Sequence, residues 1–171
     1  MVRQHNLNKL TKLIVYMVKR LVRIDFAVMF VHDKEQRIYN IRAIRDHNKI
    51  NSTIFFRDNI PFIAYLKNKD KPFLPEEMPQ KLRVFFEQTL GAKIGLTVPS
   101  LFDDAVLGFM VLGEKQDRSA YSSDDINVFS ILAHQAALSI ENCMFFDEFQ
   151  KVQTRIFEAE KLASIGGMAD G

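Results

Sequence analysis

From Ser122 onward the chain contains no proline, and no glycine before Gly166, so about forty consecutive residues can stay helical. At 1.5 Å per residue that helix would be roughly 60 Å long. A domain built from the ~120 residues before it would measure only about 35 Å across. The helix therefore has to leave the domain. Its start is well marked, because Ser122 and Asp125 have the spacing of a capping box, and Asp124 and Asp125 suit the positive end of the helix dipole.

A projecting helix cannot leave a row of apolar side chains in water. Leu138, Asn142, Phe145, Phe149, Val152, Ile156, Ala159 and Ala163 follow one another at alternating spacings of four and three. That 3.5-residue period is the seam of a coiled coil, and a lone polar Asn142 within it is a register-setting residue. We expect a parallel homodimer with Leu138, Asn142, Phe145, Phe149, Val152, Ile156 and Ala159 at the interface. Residues 1–146 then form the folded domain and 147–171 the coiled-coil segment.

The folded part opens with a second amphipathic helix, expected over 6–23 with Asn6 as its N-cap. Leu7, Leu10, Leu13, Ile14, Met17, Val18, Leu21 and Val22 lie on one wide stripe. "FAVMFV" (26–31) is a continuous apolar run with β-branched and aromatic members, the mark of a central strand. "RIYNIRAIR" (37–45) follows after a short turn and so pairs antiparallel. Strict alternation would place Tyr39, Ile41 and Ala43 on one face, and Ile38, Asn40, Arg42 and Ile44 on the other.

The middle is less regular. "DHNKINS" (46–52) reads as a loop, "TIFF" (53–56) as a short strand, and "IPFIAYLKN" (60–68) as a helix with Pro61 in its first turn. "KDKPFLPEEMP" (69–79) holds three prolines and is irregular, while "QKLRVFFEQTL" (80–90) is a helix closed by Gly91. "KIGLTVPSLF" (93–102) and "AVLGFMVLG" (105–113) are strands joined by the turn pair Asp103-Asp104. Gly95 and Gly108 mark close backbone approach or a bulge. The class is α+β: a central antiparallel sheet with flanking N- and C-terminal helices.

Composition excludes several functions. One cysteine, Cys143, permits neither an internal disulfide nor a thiolate metal cage, and fits a reducing cytoplasmic setting. No apolar run reaches the ~18–20 residues of a membrane span. Net charge is +2, but residues 1–24 carry six Lys or Arg and no acid. We read that basic stretch as the solvated face of a packed helix, not as a nucleic-acid surface.

Two stretches carry a family likeness. "VPSLFDDAVLGFMVLGEK" resembles the paired central strands of GAF domains, and "YSSDDINVFSILAHQAALSIENC" resembles that family's closing helix. The order of helices and strands over about residues 5–146 agrees. "EKLASIGGMADG" at the C-terminus is similar to the start of the dimerisation and phosphoacceptor helix of sensor histidine kinases, matching at Lys161, Leu162, Ala163, Ser164, Ile165 and Gly166. Asp170 stands where Ala is more usual. The resemblance implies that the phosphorylated histidine lies beyond Gly171, in a kinase core of the same chain.

No active site is expected. His5, His32, His47 and His134 are scattered without metal-ligand spacing, and His134 falls on the seam side of the long helix, where a packed or interfacial role is expected. Cys143 follows Glu141-Asn142 on that helix. The resemblance implies that a chromophore-binding cysteine would lie by the pocket instead, and that methionine sulfoxide reductases of this fold need several. The Asn-Lys-Phe-Asp-Glu signature of cyclic-nucleotide GAF domains is absent. No cofactor is expected.

The likeness also implies that a small-molecule ligand would lie between the sheet and the irregular middle. There Phe55, Phe56, Phe62, Tyr65, Phe73, Phe85 and Phe86 can form an aromatic wall, with Arg42 as the polar contact. The same rings could simply fill the core. Two functions follow: a ligand-gated sensory domain that biases a kinase through its exit helices, or a ligand-free dimerising relay in the same kinase. A large internal cavity would favour the first and a Phe-filled interior the second.

Overall fold

The computed structural model describes residues 2–45 and 50–169. Helix α1 (Val2–Leu21) leads into β1 (Ala27–Asp33) and β2 (Ile38–Arg45). Then come β3 (Phe55–Arg57), α2 (Pro61–Lys69), a single 3₁₀ turn (Pro75–Glu77) and α3 (Gln80–Leu90). Strands β4 (Leu96–Phe102) and β5 (Ala105–Leu112) precede the long α4 (Ser123–Ala169). The strands form one antiparallel sheet in the order β3-β2-β1-β5-β4.

β1 lies at the centre and is covered on both faces, which is why it reads as an unbroken apolar run. Ala27, Met29 and Val31 pack under α1 and α4 with Val15, Val18, Phe129, Ala133 and Ile140. Phe26, Val28 and Phe30 face the other way, into the middle segment with Phe56, Phe62, Phe73 and Phe86. The result is three layers: two terminal helices, the sheet, and the α2–α3 region.

Helix α1 begins at Val2 rather than at residue 6. Asn6 is therefore an exposed residue inside the helix and not its cap. The apolar stripe dates a helix's packed part, whereas its first turns can extend past that stripe. The loop expected over 46–52 lies partly outside the described residues. Pro61 opens α2 and Gly91 closes α3 at φ 69°, both as the local chemistry requires.

Alternation on β2 breaks where the register slips: Met29 pairs with Ala43, but Phe30 pairs with Ile41. Arg42 is the extra residue of this bulge. As a result Tyr39 and Ile41 join the aromatic side while Ala43 joins the helix side. This corrects the expectation that all three share a face.

The Asp103-Asp104 hairpin has both residues at positive φ, 46° and 59°, the backbone that a tight two-residue turn demands. Gly108 pairs with Val31, and a Cβ there would collide with the Phe30 carbonyl oxygen. Close approach, not a turn, explains this glycine.

The expected capping box opens α4. Asp125 N–H donates to Ser122 Oγ at 3.1 Å, and Ser122 N–H donates to Asp125 Oδ2 at 2.9 Å. The helix then runs for 47 residues, about 70 Å. Its last core residues are Ile140 and Met144; every residue from Glu148 to Gly167 is exposed.

Candidate functional site

The middle segment brings its aromatic side chains onto the sheet in two groups. Phe56, Phe62, Phe73 and Phe86 are fully buried. Phe62 and Phe86 are in close tilted contact, with ring centroids 4.0 Å apart. Phe56 sits 5.3 Å from Phe86 and 5.2 Å from Phe30, and Phe62 lies edge-on to Phe109 at 5.6 Å. Such centroid spacings belong to rings in direct contact. The space between the sheet and α2–α3 is thus occupied by side chains from both sides.

Tyr65 is half-buried, edge-on to Phe73 at 5.3 Å, and its hydroxyl donates to the Glu77 carbonyl at 2.7 Å. Phe55 and Phe85 are exposed, at 52% and 46%. Arg42 belongs to neither group. It is the extra residue of the β2 bulge, and its Nε is buried without a hydrogen-bond partner. The structure therefore gathers Phe56, Phe62, Phe73 and Phe86, places Tyr65 and the partly exposed Phe85, edge-on to Phe56 at 6.5 Å, at their margin, and leaves Phe55 and Arg42 apart.

Beside this cluster lies a surface cleft of about 440 Å³. Tyr39, Asp58, Ile60, Ile63, Lys67 and Val106 line it, together with the Asp103-Asp104 turn. Helix α2 contributes its first two turns and the β4–β5 hairpin the opposite wall. Buried Tyr39 donates its hydroxyl to the Val106 carbonyl at 2.8 Å. Burial, and secondarily the Asp58 charge, push its pKa well above the ordinary tyrosine value, so it stays a neutral donor.

Asp58 accepts from Arg37 Nε at 3.2 Å and lies 3.4 Å from His32 Nε2. Those partners, Arg37 foremost, hold its carboxyl below the usual range. The His32 ring stacks on Tyr39 at 4.7 Å. None of this local network was legible beforehand, since His32, Tyr39 and Asp58 come from three separate elements with no motif joining them.

This arrangement offers no nucleophile–base pair. No group of three or more His, Cys, Asp or Glu among the described residues could hold a metal ion. Cys143 is half-buried on α4. His134 is exposed on α4.

The exit helix is the other prominent feature. Along the expected seam Leu138 is half-buried and Asn142 exposed. Phe145, Phe149, Val152 and Ile156 are at least half exposed, and Ala159 and Ala163 are exposed.

The GAF domain profile matches residues 6–142. This chain belongs to the GAF domain family. That is a regulatory and sensory, small-molecule-binding class of domain rather than a catalytic one, and it takes part in signal transduction. No curated protein matches the chain. Among solved structures this GAF domain is similar to the blue-light absorbing form of the Thermosynechococcus elongatus PixJ GAF domain: 13% identity, 91% of this chain and 96% of that one, TM-score 0.69. It is also similar to a GAF domain/HD domain protein from Geobacter sulfurreducens, at 15% identity over 83% of this chain and 96% of that one, TM-score 0.62. The GAF domain of an Acinetobacter phosphoenolpyruvate-protein phosphotransferase gives 16% identity, 81% and 84% coverage, and TM-score 0.63. At these identities the likeness establishes the fold, and the antiparallel sheet with flanking helices expected above is that fold.

No helix among the described residues is long and apolar enough to cross a membrane.

Proposed function

We propose that this GAF domain is a regulatory module of a two-component sensor histidine kinase, acting as a dimer that relays its state along α4 to the kinase core. The observation that carries the reading is the length and surface of α4. It projects far beyond its domain with Phe145, Phe149, Val152 and Ile156 at least half exposed along one 3.5-residue stripe. Large apolar residues on a projecting helix need a partner helix. The segment Lys161–Gly166, which resembles the beginning of the phosphoacceptor helix, continues α4 without a break, so displacement of α4 would reach a kinase core directly.

Of the two modes of control, the filled interior supports the relay. Phe30, Phe56, Phe62, Phe86 and Phe109 occupy the space that a ligand would need. A ligand-gated sensor would have to displace these rings, or use the open cleft beside Tyr39 and Lys67.

Sedimentation of this chain should show a dimer; a monomer at high micromolar concentration would remove the dimeric reading. The longer parent chain incubated with labelled ATP should acquire acid-labile phosphate outside residues 1–171, and its absence would remove the kinase reading. A thermal-shift screen of small molecules should move nothing, whereas a reproducible stabiliser would replace the relay with the ligand-gated sensor.

A further inference from the structure

We propose that the outward face of α1 docks on an anionic lipid surface, with Leu13 and Tyr16 entering the headgroup region and Lys9, Lys12, Arg20 and Arg45 around them. This face is separate from the α4 stripe and needs neither the dimer nor the kinase.

Helix α1 buries Leu7, Thr11, Val15 and Val18 against the rest of the domain. On the opposite side of the helix lie Lys9, Lys12, Leu13, Tyr16 and Arg20, three and four residues apart along one face, and all five are exposed. Spacing alone groups Leu13 with the packed stripe, yet it is 55% exposed, with Tyr16 43% exposed beside it. The packed arc is narrower than the apolar stripe and is centred on Leu7, Val15 and Val18. Arg20 Nη1 donates to the Tyr16 hydroxyl at 3.4 Å, and the Arg45 guanidinium from β2 lies over the Tyr16 ring, 5.2 Å from its centroid.

A solvated helix face ordinarily mixes signs. On α3 Arg83 pairs with Glu87, and on α4 Lys151 pairs with Asp147, each across four residues. α1 has no acid to offer, because residues 1–24 carry six Lys or Arg and no Asp or Glu. Among the described residues no ion pair involves Lys9, Lys12 or Arg20. The strip therefore keeps its full positive charge, with two large apolar side chains in the middle of it.

Concentrated positive charge attracts a polyanion, and the apolar pair gains by leaving water. A bilayer with anionic headgroups meets both needs at once. Its phosphates take the ammonium and guanidinium groups, and its acyl boundary takes Leu13 and the Tyr16 ring, while the Lys and Arg stems lie along the interface. A nucleic acid would meet the charges and leave Leu13 in water. A second copy of α1 brought face to face would set like charges against one another. From Lys9 to Arg20 the strip runs about 17 Å, and each basic residue held near such a surface raises affinity about fivefold.

The natural chain should co-sediment with vesicles of equal parts phosphatidylcholine and phosphatidylglycerol, should be released by high salt, and should ignore pure phosphatidylcholine. The chain has no Trp, so a single introduced Trp reports on one place. Tyr16→Trp should shift its emission to the blue on the anionic vesicles, and Phe85→Trp, on α3 across the sheet, should not. Lys9→Glu with Arg20→Glu should weaken vesicle binding at least tenfold while the near-UV spectrum stays as it was. No co-sedimentation of the natural chain at low salt would overturn the proposal, as would an unshifted Tyr16→Trp or equal shifts at both Trp positions. Binding to a short DNA or RNA duplex tighter than to vesicles at the same salt would overturn it in favour of nucleic acid. Loss of self-association in Leu13→Ser would overturn it in favour of a second copy.

Discussion

Lys115 Nζ lies 2.6 Å from Asp125 Oδ2, the same oxygen that accepts the Ser122 N–H. One carboxylate thus closes the α4 capping box and ties the helix to the segment leaving β5. Lys115 in turn bridges to Ile24 at the entry to β1. Through Asp125 the first turn of α4 is anchored to the centre of the sheet.

That anchor should be visible as acid sensitivity. The Asp125 carboxyl is held below its ordinary value of 3.8, by Lys115 first and then by the Ser122 groups. A depressed folded-state pKa means stability that is present above the unfolded value and lost as pH falls through the lower folded one. Asp125→Asn should therefore flatten the acid limb of a Tm-against-pH profile below about pH 4. It should also cost about 1 kcal/mol at pH 7 through the weakened cap. An unchanged acid limb would show that the pair adds nothing to stability.

Phe149→Glu with Ile156→Glu puts like charges into the proposed helix–helix interface, which two close-packed helices tolerate poorly. Both residues are half exposed in the single chain and lie beyond Met144, the last core residue of α4. Sedimentation should report a monomer while the near-UV spectrum of the domain stays as it was. A persisting dimer would place the interface elsewhere.

Adjacent phenylalanines on α3 should behave oppositely. Phe86 is fully buried and Phe85 is 46% exposed. Phe86→Ala should lose about 3–5 kcal/mol in urea unfolding, and Phe85→Ala under about 1 kcal/mol. The space opened by Phe86→Ala should also take up a small aromatic solute, raising the Tm of that variant and not of the natural chain. Equal losses at both positions would contradict the packing described.

Gly108→Ala should cost about 1–3 kcal/mol, because its Cβ would have to push β5 away from the Phe30 carbonyl. Gly91→Ala meets no atom within 4 Å but would hold alanine at φ 69°, at a cost of about 1 kcal/mol. Chemical denaturation separates these two origins: the first should also speed hydrogen exchange in β1 and β5, and the second should leave those strands untouched.

Local pattern was enough to find β1, β4, β5 and α3, because their periodicities and terminators agree. β1 announces burial on both faces by having no polar residue between Phe26 and Val31. The capping box at Ser122 and the αL closure at Gly91 depend on chemistry within four residues, and both were readable. Arg42 and Ala43 were not. The bulge opposite Met29 and Phe30 is a property of two strands pairing, and a single strand's alternation carries no sign of it.

The candidate site divides along the same line. That Phe56, Phe62, Phe73 and Phe86 would meet the sheet follows from their place in a proline-interrupted segment that must cover it. Whether they line a cavity or fill it depends on ring geometry against Phe30 and Phe109, and only the packed tertiary structure decides that. The network of His32, Tyr39 and Asp58 is likewise long-range, assembled by chain folding from positions with no common motif. By itself the sequence determined the class of fold and the existence of a helix too long for its domain. Both rest on local spacing and on the fixed rise of a helix. The tertiary structure decided the filled interior and the outward direction of the apolar stripe on α4, because each depends on which surfaces the rest of the chain leaves uncovered.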